Sequence, residues 1–459
     1  MKFGGTSMGS AERMKVAADI CREQSRRRPV VAVVSAMSKI TDLLLDTLRH
    51  AEAGDEAGVE TNLERIAARH HSTCGELLAG DRHAAAIKAI DALLADFRRI
   101  AYGIRMLGER PPRSVDEAIA IGERLSSILL SEYLVSLQTP ARAINAAEVI
   151  VTDGVFGNAT PILAETRKRA EAILKPLLEQ GVLPIVTGFN GATADGRPTT
   201  LGRGGSDFSA SILAATLEAG ELWIWTDVDG IMSADPRSVP NARVLDEVTY
   251  NEAAELAYNG AKVLHPRTLA PLIERGIEVW SKNSFHLEHP GTRIAPTARA
   301  TPGPRAVTSL TNVALISMEP ADAAVSGTRI MARALDALAE ANAEVLAFSS
   351  SSYRQSFCFL VRNDELARAL ERLEADLALE LLHGYVRPIE VDQNVGLLAV
   401  VGEGMRGSPG LAGRLFSAIS AQNVNIIAIA QGSSELTISI VVRRDGLDRA
   451  VKAVHEECR

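Results

Sequence analysis

Val30-Val31-Ala32-Val33-Val34 is an unbroken apolar run, and it predicts a buried β-strand. Helical patterns lie on both sides of this run, roughly over Glu12–Arg27 and Asp116–Leu137. Three further β-rich runs follow, each separated from the next by helix: Ala141–Ile144, Leu183–Thr187 and Glu221–Thr226. Strands that alternate with helices form a mostly parallel sheet covered on both faces. The sequence therefore predicts an α/β fold for the first part of the chain.

Length, charge and composition exclude several classes of protein. The chain has 459 residues, which fits a larger catalytic domain with one or two smaller domains. Its net charge of -8 has the wrong sign for a protein that lives on nucleic acid, and its four cysteines are too scattered for a zinc site. No apolar stretch approaches the roughly 20 residues of a membrane span, and no export signal opens the chain. We therefore expect a cytoplasmic protein without membrane or nucleic-acid partners.

A proline-rich segment marks a boundary between domains. Pro290, Pro296, Pro302 and Pro304 lie close together in a stretch that is rich in Gly, Thr and Ala. This composition is typical of the segments between domains. We place the catalytic domain at residues 1–300.

The chain after this boundary repeats itself. Asn312–Ile316 is echoed by Asn394–Leu398, a helical pattern follows each, and the runs Ser349–Ser351 and Gly432–Ser434 lie at matching places. Two copies of a β-α-β-β-α unit explain these echoes. The predicted copies occupy residues 306–389 and 390–459. Each copy is small and presents an apolar sheet face, so we expect the copies, or two chains, to pair.

A glycine-rich motif, Lys2–Ser7 (KFGGTS), ends the first predicted strand. Glycines let backbone N–H groups approach a phosphate closely, the start of the following helix adds a favourable dipole, and Lys2 adds a charge. The alternative is a tight strand-to-helix turn that binds no ligand. If this motif stood alone, the turn would be favoured.

A second glycine-rich loop, Thr200–Asp207 (TLGRGGSD), precedes a strong helical pattern over Phe208–Ala219. Arg203 offers a guanidinium that can grip a carboxylate in two places, and Asp207 offers a carboxylate that can bind Mg²⁺ or another cation. The alternative is a solvated loop in which Ser206 or Asp207 caps the helix. Two such loops in one α/β sheet favour an anion-binding site.

Three more polar segments interrupt apolar surroundings. Glu123 lies in an apolar helical stretch, so it either bonds to Arg124 at the surface, which the residues alone favour, or meets a cationic ligand group inside. Thr226–Gly230 (TDVDG) ends a strand and is followed by Asp235–Arg237, a combination suited to ribose, to phosphate or to a turn. Lys262 needs an anionic partner in its apolar setting, and the nearby His265 is expected to be structural.

Taken in order, these segments resemble the aspartate kinase branch of the amino-acid kinase family. The matching segments are Lys2–Ser7, Gly122–Ser126, Leu201–Asp207, Trp225–Gly230 and Gly260–Pro266. The resemblance covers essentially the whole chain and is closest to the kinase half of the fused aspartate kinase–homoserine dehydrogenase enzymes. It implies an amino-acid-kinase fold, with a mostly parallel sheet between helix layers, followed by two ferredoxin-like βαββαβ ACT domains.

The resemblance also implies a reaction and a set of site residues. ATP, with Mg²⁺ bridging its phosphates, would phosphorylate the β-carboxylate of L-aspartate, the first step of the aspartate-derived amino-acid pathway. Lys2 and Asp207 are the implied catalytic residues, and no metal site built from side chains alone is expected. The implied substrate-binding residues are Ser35, Thr41, Glu123, which takes the α-ammonium, Arg203, which clamps the α-carboxylate, and Ser206. The implied ATP-binding residues are Lys2, Gly4, Gly5, Thr6, Ser7, Thr226, Asp227, Met232, Arg237 and Lys262.

Regulation is expected to be weak. The second ACT copy keeps Gln431–Glu435 (QGSSE), the run near which effectors bind in the fused threonine-sensitive relatives, and Met405 and Asn425 are the other implied effector residues. The first copy has Phe348–Tyr353 instead, without the glutamine or the glutamate, and Glu319–Ala323 replaces its glycine-rich loop. We expect weak or partial inhibition by threonine or lysine, and a homodimer or homotetramer formed through the ACT domains.

Two alternative functions stay open at this stage. Another amino-acid kinase, acting on glutamate, acetylglutamate, carbamate or UMP, would share the fold, but the Glu123 and Arg203 motifs and the ACT pair argue against it. A catalytically silent amino-acid sensor would keep only its ACT domains in use, and intact Lys2, Arg203 and Asp207 argue against that.

Overall fold

The computed structural model describes residues 1–261, 264–299, 303–321, 326–352 and 355–458. These residues form two compact units. The first unit contains Met1–Ile231 and Leu264–Pro296, and the second contains Met232–Val263 and Thr297–Arg459. This division differs from the predicted boundary at residue 300, because residues 232–263 group with the C-terminal part of the chain. None of the described helices has both the length and the apolar character needed to span a membrane.

The secondary structure follows the predicted alternation. The helices are α1 Ala11–Ser25, α2 Ile40–Glu52, α3 Glu56–Leu77, α4 Gly80–Leu107, α5 Pro112–Ile119, α6 Ile121–Ser136, α7 Leu163–Glu179, α8 Gly205–Thr216, α9 Tyr250–Tyr258, α10 Pro266–Ile273, α11 Gly327–Glu340, α12 Asn363–Asp376, α13 Ala378–Leu382, α14 Leu411–Ala421 and α15 Leu447–His455. The strands are β1 Lys2–Phe3, β2 Ala32–Val34, β3 Ala141–Ile144, β4 Val151–Thr152, β5 Leu183–Thr187, β6 Asn190–Thr193, β7 Pro198–Thr200, β8 Glu221–Thr226, β9 Glu247–Thr249, β10 Glu278–Asn283, β11 Thr292–Ala295, β12 Ala306–Leu310, β13 Val313–Met318, β14 Ala347–Ser350, β15 Phe357–Arg362, β16 Glu390–Asp392, β17 Val395–Val401, β18 Ile426–Gln431 and β19 Thr437–Arg443. Strands β3, β5 and β8 have the predicted bounds, and the run at 30–34 forms the shorter strand β2.

The main sheet of the first unit is mostly parallel. Among the described residues of this unit its strands follow the order β3-β5-β2-β1-β8-β10-β11. Every neighbouring pair is parallel except β10 and β11, which are antiparallel. Because parallel strands all end at the same edge, the loops after β1, β2 and β5 lie close together. The predicted fold class is confirmed.

The helix α6 lies inside the core of this unit. Its leucines Leu125, Leu129, Leu130 and Leu134 are each fully buried, and burying a side chain of this kind contributes about 1.5–3 kcal/mol. A helix that is apolar on most of its surface must be enclosed by other elements. The polar residue Glu123, in the first turn of α6, is therefore carried into the interior rather than to the surface.

The second unit contains two antiparallel sheets of four strands each among the described residues, β14-β15-β13-β16 and β12-β17-β19-β18. Strand β12, at the start of the predicted first copy, pairs with β17 of the second copy, and β16, at the start of the predicted second copy, pairs with β13 of the first. The sheets therefore exchange strands across the predicted boundaries at residues 306 and 390. The physical reason is that the first strand of a β-α-β-β-α unit has an open edge, which a strand from outside the unit can pair with.

One face of each of these two sheets packs against the other sheet. Val313, Leu315 and Leu360 of the first sheet form one buried cluster with Val395, Leu397 and Val441 of the second. The helices of each copy cover the opposite face of its own sheet. The expected pairing of apolar sheet faces is thus found within this chain.

Candidate functional site

A cavity of about 570 Å³ lies at the carboxyl ends of β1, β2 and β5 in the first unit. The loop after β2, the starts of α2 and α8, and parts of α5 and α6 complete its walls. The cavity brings together eight of the predicted site residues: Lys2, Gly5, Ser35, Thr41, Glu123, Arg203, Ser206 and Asp207. These residues come from four separate parts of the sequence, and the topology of the parallel sheet explains why they meet.

Lys2 and Asp207, which both line this cavity, form an ion pair. The Lys2 Nζ atom lies 2.6 Å from Asp207 Oδ1, and only 8% of Lys2 is exposed. Helix α8 begins at Gly205, and its N-cap residue is Gly204, which offers no side-chain cap. Ser206 and Asp207 are therefore inside the first turn, and the alternative that one of them caps the helix is wrong. Asp207 holds the ammonium of Lys2 at the edge of the cavity.

Arg203 lies in a tight loop between two glycines in the left-handed region. Gly202 has φ 75° and Gly204 has φ 71°, a conformation that glycine adopts without steric cost. A Cβ atom on Gly202 would lie 2.7 Å from Asn158 Oδ1, so the loop also has no room for a larger residue there. Arg203 itself is exposed and lines the cavity, and no ion pair of its guanidinium is found in the part of the chain that the structure describes. Its charge is available to an anionic ligand.

Glu123 is a buried carboxylate with one oxygen unsatisfied. It is 3% exposed, and its Oε2 atom has no hydrogen-bond partner among the described residues. Burial raises the pKa of Glu123 to about 8, although hydrogen bonds from the backbone N–H groups of Ala36 and Glu123 itself oppose this shift. A buried acid of this kind is stabilised when a cation reaches it. The surface alternative for Glu123 is wrong.

Asp116 is a site residue that the sequence analysis missed. It is 1% exposed and accepts three hydrogen bonds of 2.8 Å each, from Gly157 N–H, Thr200 N–H and Thr200 Oγ1. Burial raises the pKa of its carboxyl, and these donors oppose the shift. Asp116 thereby joins α5 to the strand that leads into the Arg203 loop. Its sequence context gave no signal, because Asp116 stands beside Glu117 in a short helical segment that also contains Arg113 and Ser114.

Comparison with known proteins gives consistent matches. The model of the amino acid kinase family matches residues 1–283, and an ACT domain model matches residues 398–458. Aspartokinase 2, chloroplastic, of Arabidopsis thaliana is 30% identical over 99% of this chain and 83% of that protein. The chain belongs to the aspartokinase branch of the amino acid kinase family. The resemblance seen in the sequence is confirmed.

A longer sequence relative and a solved structure also match this member of the aspartokinase branch. Bifunctional aspartokinase/homoserine dehydrogenase 1, chloroplastic, of Arabidopsis thaliana is 35% identical over 99% of the chain and 50% of that protein. The chain thus spans about half the length of that relative. The crystal structure of E. coli aspartokinase III in complex with aspartate and ADP covers 99% of this chain and 98% of that chain, with a TM-score of 0.85 and 29% identity.

Only some of the predicted ATP-binding residues line the cavity. The Gly4 N–H donates to Trp225 O (3.1 Å), so its predicted bond to phosphate is replaced by a bond that holds the loop to β8. Ser7 is buried and bonds to Ser284 Oγ at 2.8 Å, and Thr6 is exposed outside the cavity lining. Neither residue belongs to the cavity lining, and their assignment to ATP stays a prediction.

The remaining nucleotide residues stay predictions. Thr226 ends β8, next to β1, and its hydroxyl donates to Asp227 Oδ1 at 3.2 Å. Met232 and Arg237 belong to the second unit, where Arg237 is exposed and paired with Asp235. Lys262 lies outside the described residues. The expectation for His265 is met, because it is the N-cap of α10 and its Nδ1 accepts from Arg267 N–H.

The predicted effector residues do not form one site within this chain. Met405 is 4% exposed and packs in the apolar cluster under the second sheet. Asn425 directly precedes β18 and Gln431 ends it, so the two lie roughly 20 Å apart at about 3.3 Å per residue. Gln431 lines a separate cavity of about 470 Å³ in the second unit, together with Glu255 and Glu344.

Proposed function

We propose that this chain transfers the γ-phosphoryl group of ATP to the β-carboxylate of L-aspartate, giving 4-phospho-L-aspartate and ADP. The observation that carries the proposal is the pairing of opposite charges across one cavity. Arg203 offers a guanidinium to a carboxylate, while the unsatisfied Glu123 oxygen offers a negative partner to an ammonium. An α-amino acid carries both groups on one carbon atom. The E. coli structure that this chain resembles holds aspartate and ADP.

The reaction needs no general base. The side chain of aspartate has a pKa of about 3.9 and is ionised at pH 7. One of its oxygens forms a bond to the γ-phosphorus, the bond between that phosphorus and the bridging oxygen breaks, and the electron pair leaves with ADP. Catalysis therefore consists of alignment and of neutralising charge on the phosphoryl oxygens. Lys2, in the short strand β1, lines the cavity and is the residue that we assign to that neutralisation.

The carboxylates that line the cavity fit Mg²⁺ that is bound together with the phosphates of a nucleotide. The ion needs only one or two protein carboxylates when the substrate phosphates supply further oxygens. Asp207 and Asp42 line the cavity and would hold it. Within the described ranges no group of three or more His, Cys, Asp or Glu side chains could hold a metal ion alone. Bound Mg²⁺ supplies positive charge to the phosphates.

The proposal is tested by measuring ADP release with L-aspartate, L-glutamate and carbamate as acceptors. We expect turnover with L-aspartate only. In Arg203→Ala the KM for aspartate should rise by about 10²-fold, because a charge-assisted clamp is lost, while the KM for ATP changes little.

Arg197→Ala is the matched control, since Arg197 is exposed, pairs with Asp195 and lies outside the cavity lining. The same assay separates the alternatives. A protein that binds amino acids but releases no ADP would be a sensor, and turnover with another acceptor would identify a different kinase of this family.

A further inference from the structure

Lys39 has an unusual backbone conformation at the edge of the cavity. It directly precedes α2 with φ 67° and ψ 1°, in the left-handed region, and its side chain makes no capping hydrogen bond. Residues with a Cβ atom adopt this conformation at a steric cost, and glycine adopts it freely. The backbone therefore favours glycine at this position, and the presence of lysine needs another explanation.

The turn that carries Lys39 is fixed to the loop that follows Lys2. The Ser38 N–H donates to Gly5 O at 3.1 Å. The Arg69 guanidinium donates to Ser38 O at 2.7 Å and to Gly9 O at 3.0 Å, so one side chain holds both loops. The positions from which Lys2 and Lys39 extend are thus set relative to each other, and both residues line the same cavity.

The charges that line the cavity leave Lys39 without a protein partner. The cationic lining residues are Lys2, Lys39 and Arg203, and Lys2 is paired with Asp207. No ion pair of Lys39 is found within residues 1–261 or the other described ranges, and its side chain is exposed. When Arg203 is engaged by the α-carboxylate of the substrate, Lys2 and Lys39 are the described lining cations that remain for a second anionic group, and of these two Lys39 has no ion pair.

We propose that Lys39 meets the γ-phosphoryl oxygens of ATP opposite Lys2 and stabilises their charge as the phosphoryl group passes to the acceptor carboxylate. This inference rests on the proposed function, because it assigns a charge partner for the group being transferred. Positive groups placed at transferring phosphoryl oxygens act mainly on the transition state. This role would explain why lysine is present at a position where the backbone conformation favours glycine.

Three substitutions separate the charge from the backbone. Lys39→Gly removes the charge and relieves the conformation, Lys39→Ala removes the charge and keeps a Cβ atom, and Lys39→Arg keeps the charge. We expect kcat to fall by about tenfold or more in the glycine and alanine variants, with a smaller change in the KM for aspartate. The arginine variant should retain most of the activity. The glycine variant should unfold at a temperature no lower than the parent protein.

The control is Lys168→Ala, since Lys168 is an exposed lysine that pairs with Glu165 outside the cavity. Equilibrium binding of ATP and ADP gives a readout independent of turnover. Loss of Lys39 should weaken ATP binding by several-fold more than ADP binding, because only ATP carries the γ-phosphoryl group. Parental kcat in Lys39→Gly, or equal weakening of both nucleotides, would overturn the inference. Absence of turnover with aspartate in the parent protein would instead reject the proposed function, and the binding comparison would still decide the role of Lys39.

Discussion

The cavity of the first unit and the 470 Å³ cavity of the second unit differ in how their carboxylates are satisfied. In the second unit Glu255 accepts a bond of 2.8 Å from Thr437 Oγ1, and Glu344 faces Arg362 Nε at 3.6 Å. In the first unit Glu123 is buried with one oxygen unsatisfied. Leaving such an oxygen unsatisfied is costly unless a cation or a hydrogen-bond donor reaches it. The difference predicts large effects of substitution in the first cavity and small ones in the second.

The largest effect is expected for Lys2→Ala. Its ammonium is needed most where negative charge shifts in the transition state, so kcat should fall by about 10²–10³-fold while the KM for aspartate changes far less. Steady-state kinetics with ADP detection measures both parameters, with Lys168→Ala as the control. A Lys2→Ala variant with near-parental kcat would show that the first cavity does not carry out the chemistry.

Glu123→Gln should have the next largest effect, on binding and on pH dependence. Removing one partner of a buried ion pair should raise the KM for aspartate by about 10²-fold. Because the pKa of Glu123 is about 8 in the ligand-free protein, its carboxyl is protonated in most molecules at pH 7. Binding of the substrate ammonium should then release close to one proton. Calorimetry in buffers of different ionisation enthalpy measures this release.

The stability of the ligand-free protein provides a second readout for Glu123. The pKa is raised in the folded state, so the unfolded chain loses this proton first as the pH rises. The contribution of Glu123 to the free energy of unfolding should be most favourable below about pH 4.5 and should fall as the pH rises towards 8. Glu123→Gln should remove that part of the pH dependence, as thermal unfolding at several pH values would show. Glu132→Gln is the control on the same helix, because Glu132 is partly exposed and pairs with Arg82. Equal pH profiles of the parent and Glu123→Gln would contradict the interpretation.

The smallest effect is expected in the second unit. We predict that threonine or lysine inhibits weakly or partially, and that Gln431→Ala changes the effector concentration for half inhibition by only a few-fold, about the loss of one neutral hydrogen bond. Basal activity should be unchanged. Ser350→Ala is the matched comparison, since Ser350 lines another cavity of this unit, about 320 Å³ in volume. Complete and cooperative inhibition that Ser350→Ala abolishes would show that the first copy binds the effector.

Much of the first unit could be predicted because its signals are local. Apolar runs bounded by helices predicted β3, β5 and β8, and the two glycine-rich motifs contribute Lys2, Gly5, Arg203, Ser206 and Asp207 to the cavity lining. Ser35 and Thr41 were implied only by the family resemblance. Asp116 was missed because its role depends on Gly157 and Thr200, which are distant in sequence. The backbone conformation of Lys39 was also invisible, since the residue type argues against it.

The arrangement of the second unit could be predicted only in part. The repeat predicted two sheets of similar construction, but the edge strands β12 and β16 carry no signal for which sheet they join. Their partners are chosen by pairing between distant segments, which sequence periodicity does not report. Met405 was assigned to an effector site by its place in a motif, whereas its apolar side chain is buried under a sheet.

The exchanged strand β12 has a consequence for how the second unit can fold. Its partner β17 is reached only after the chain has passed through the whole first copy. In an unfolded chain, closing such a long loop costs conformational entropy and slows the pairing. Once the first copy has folded, its two ends are held apart by a fixed distance, and the effective loop becomes short. Completion of the second sheet is therefore expected to follow the folding of the first copy, so that a destabilised first copy would delay formation of both.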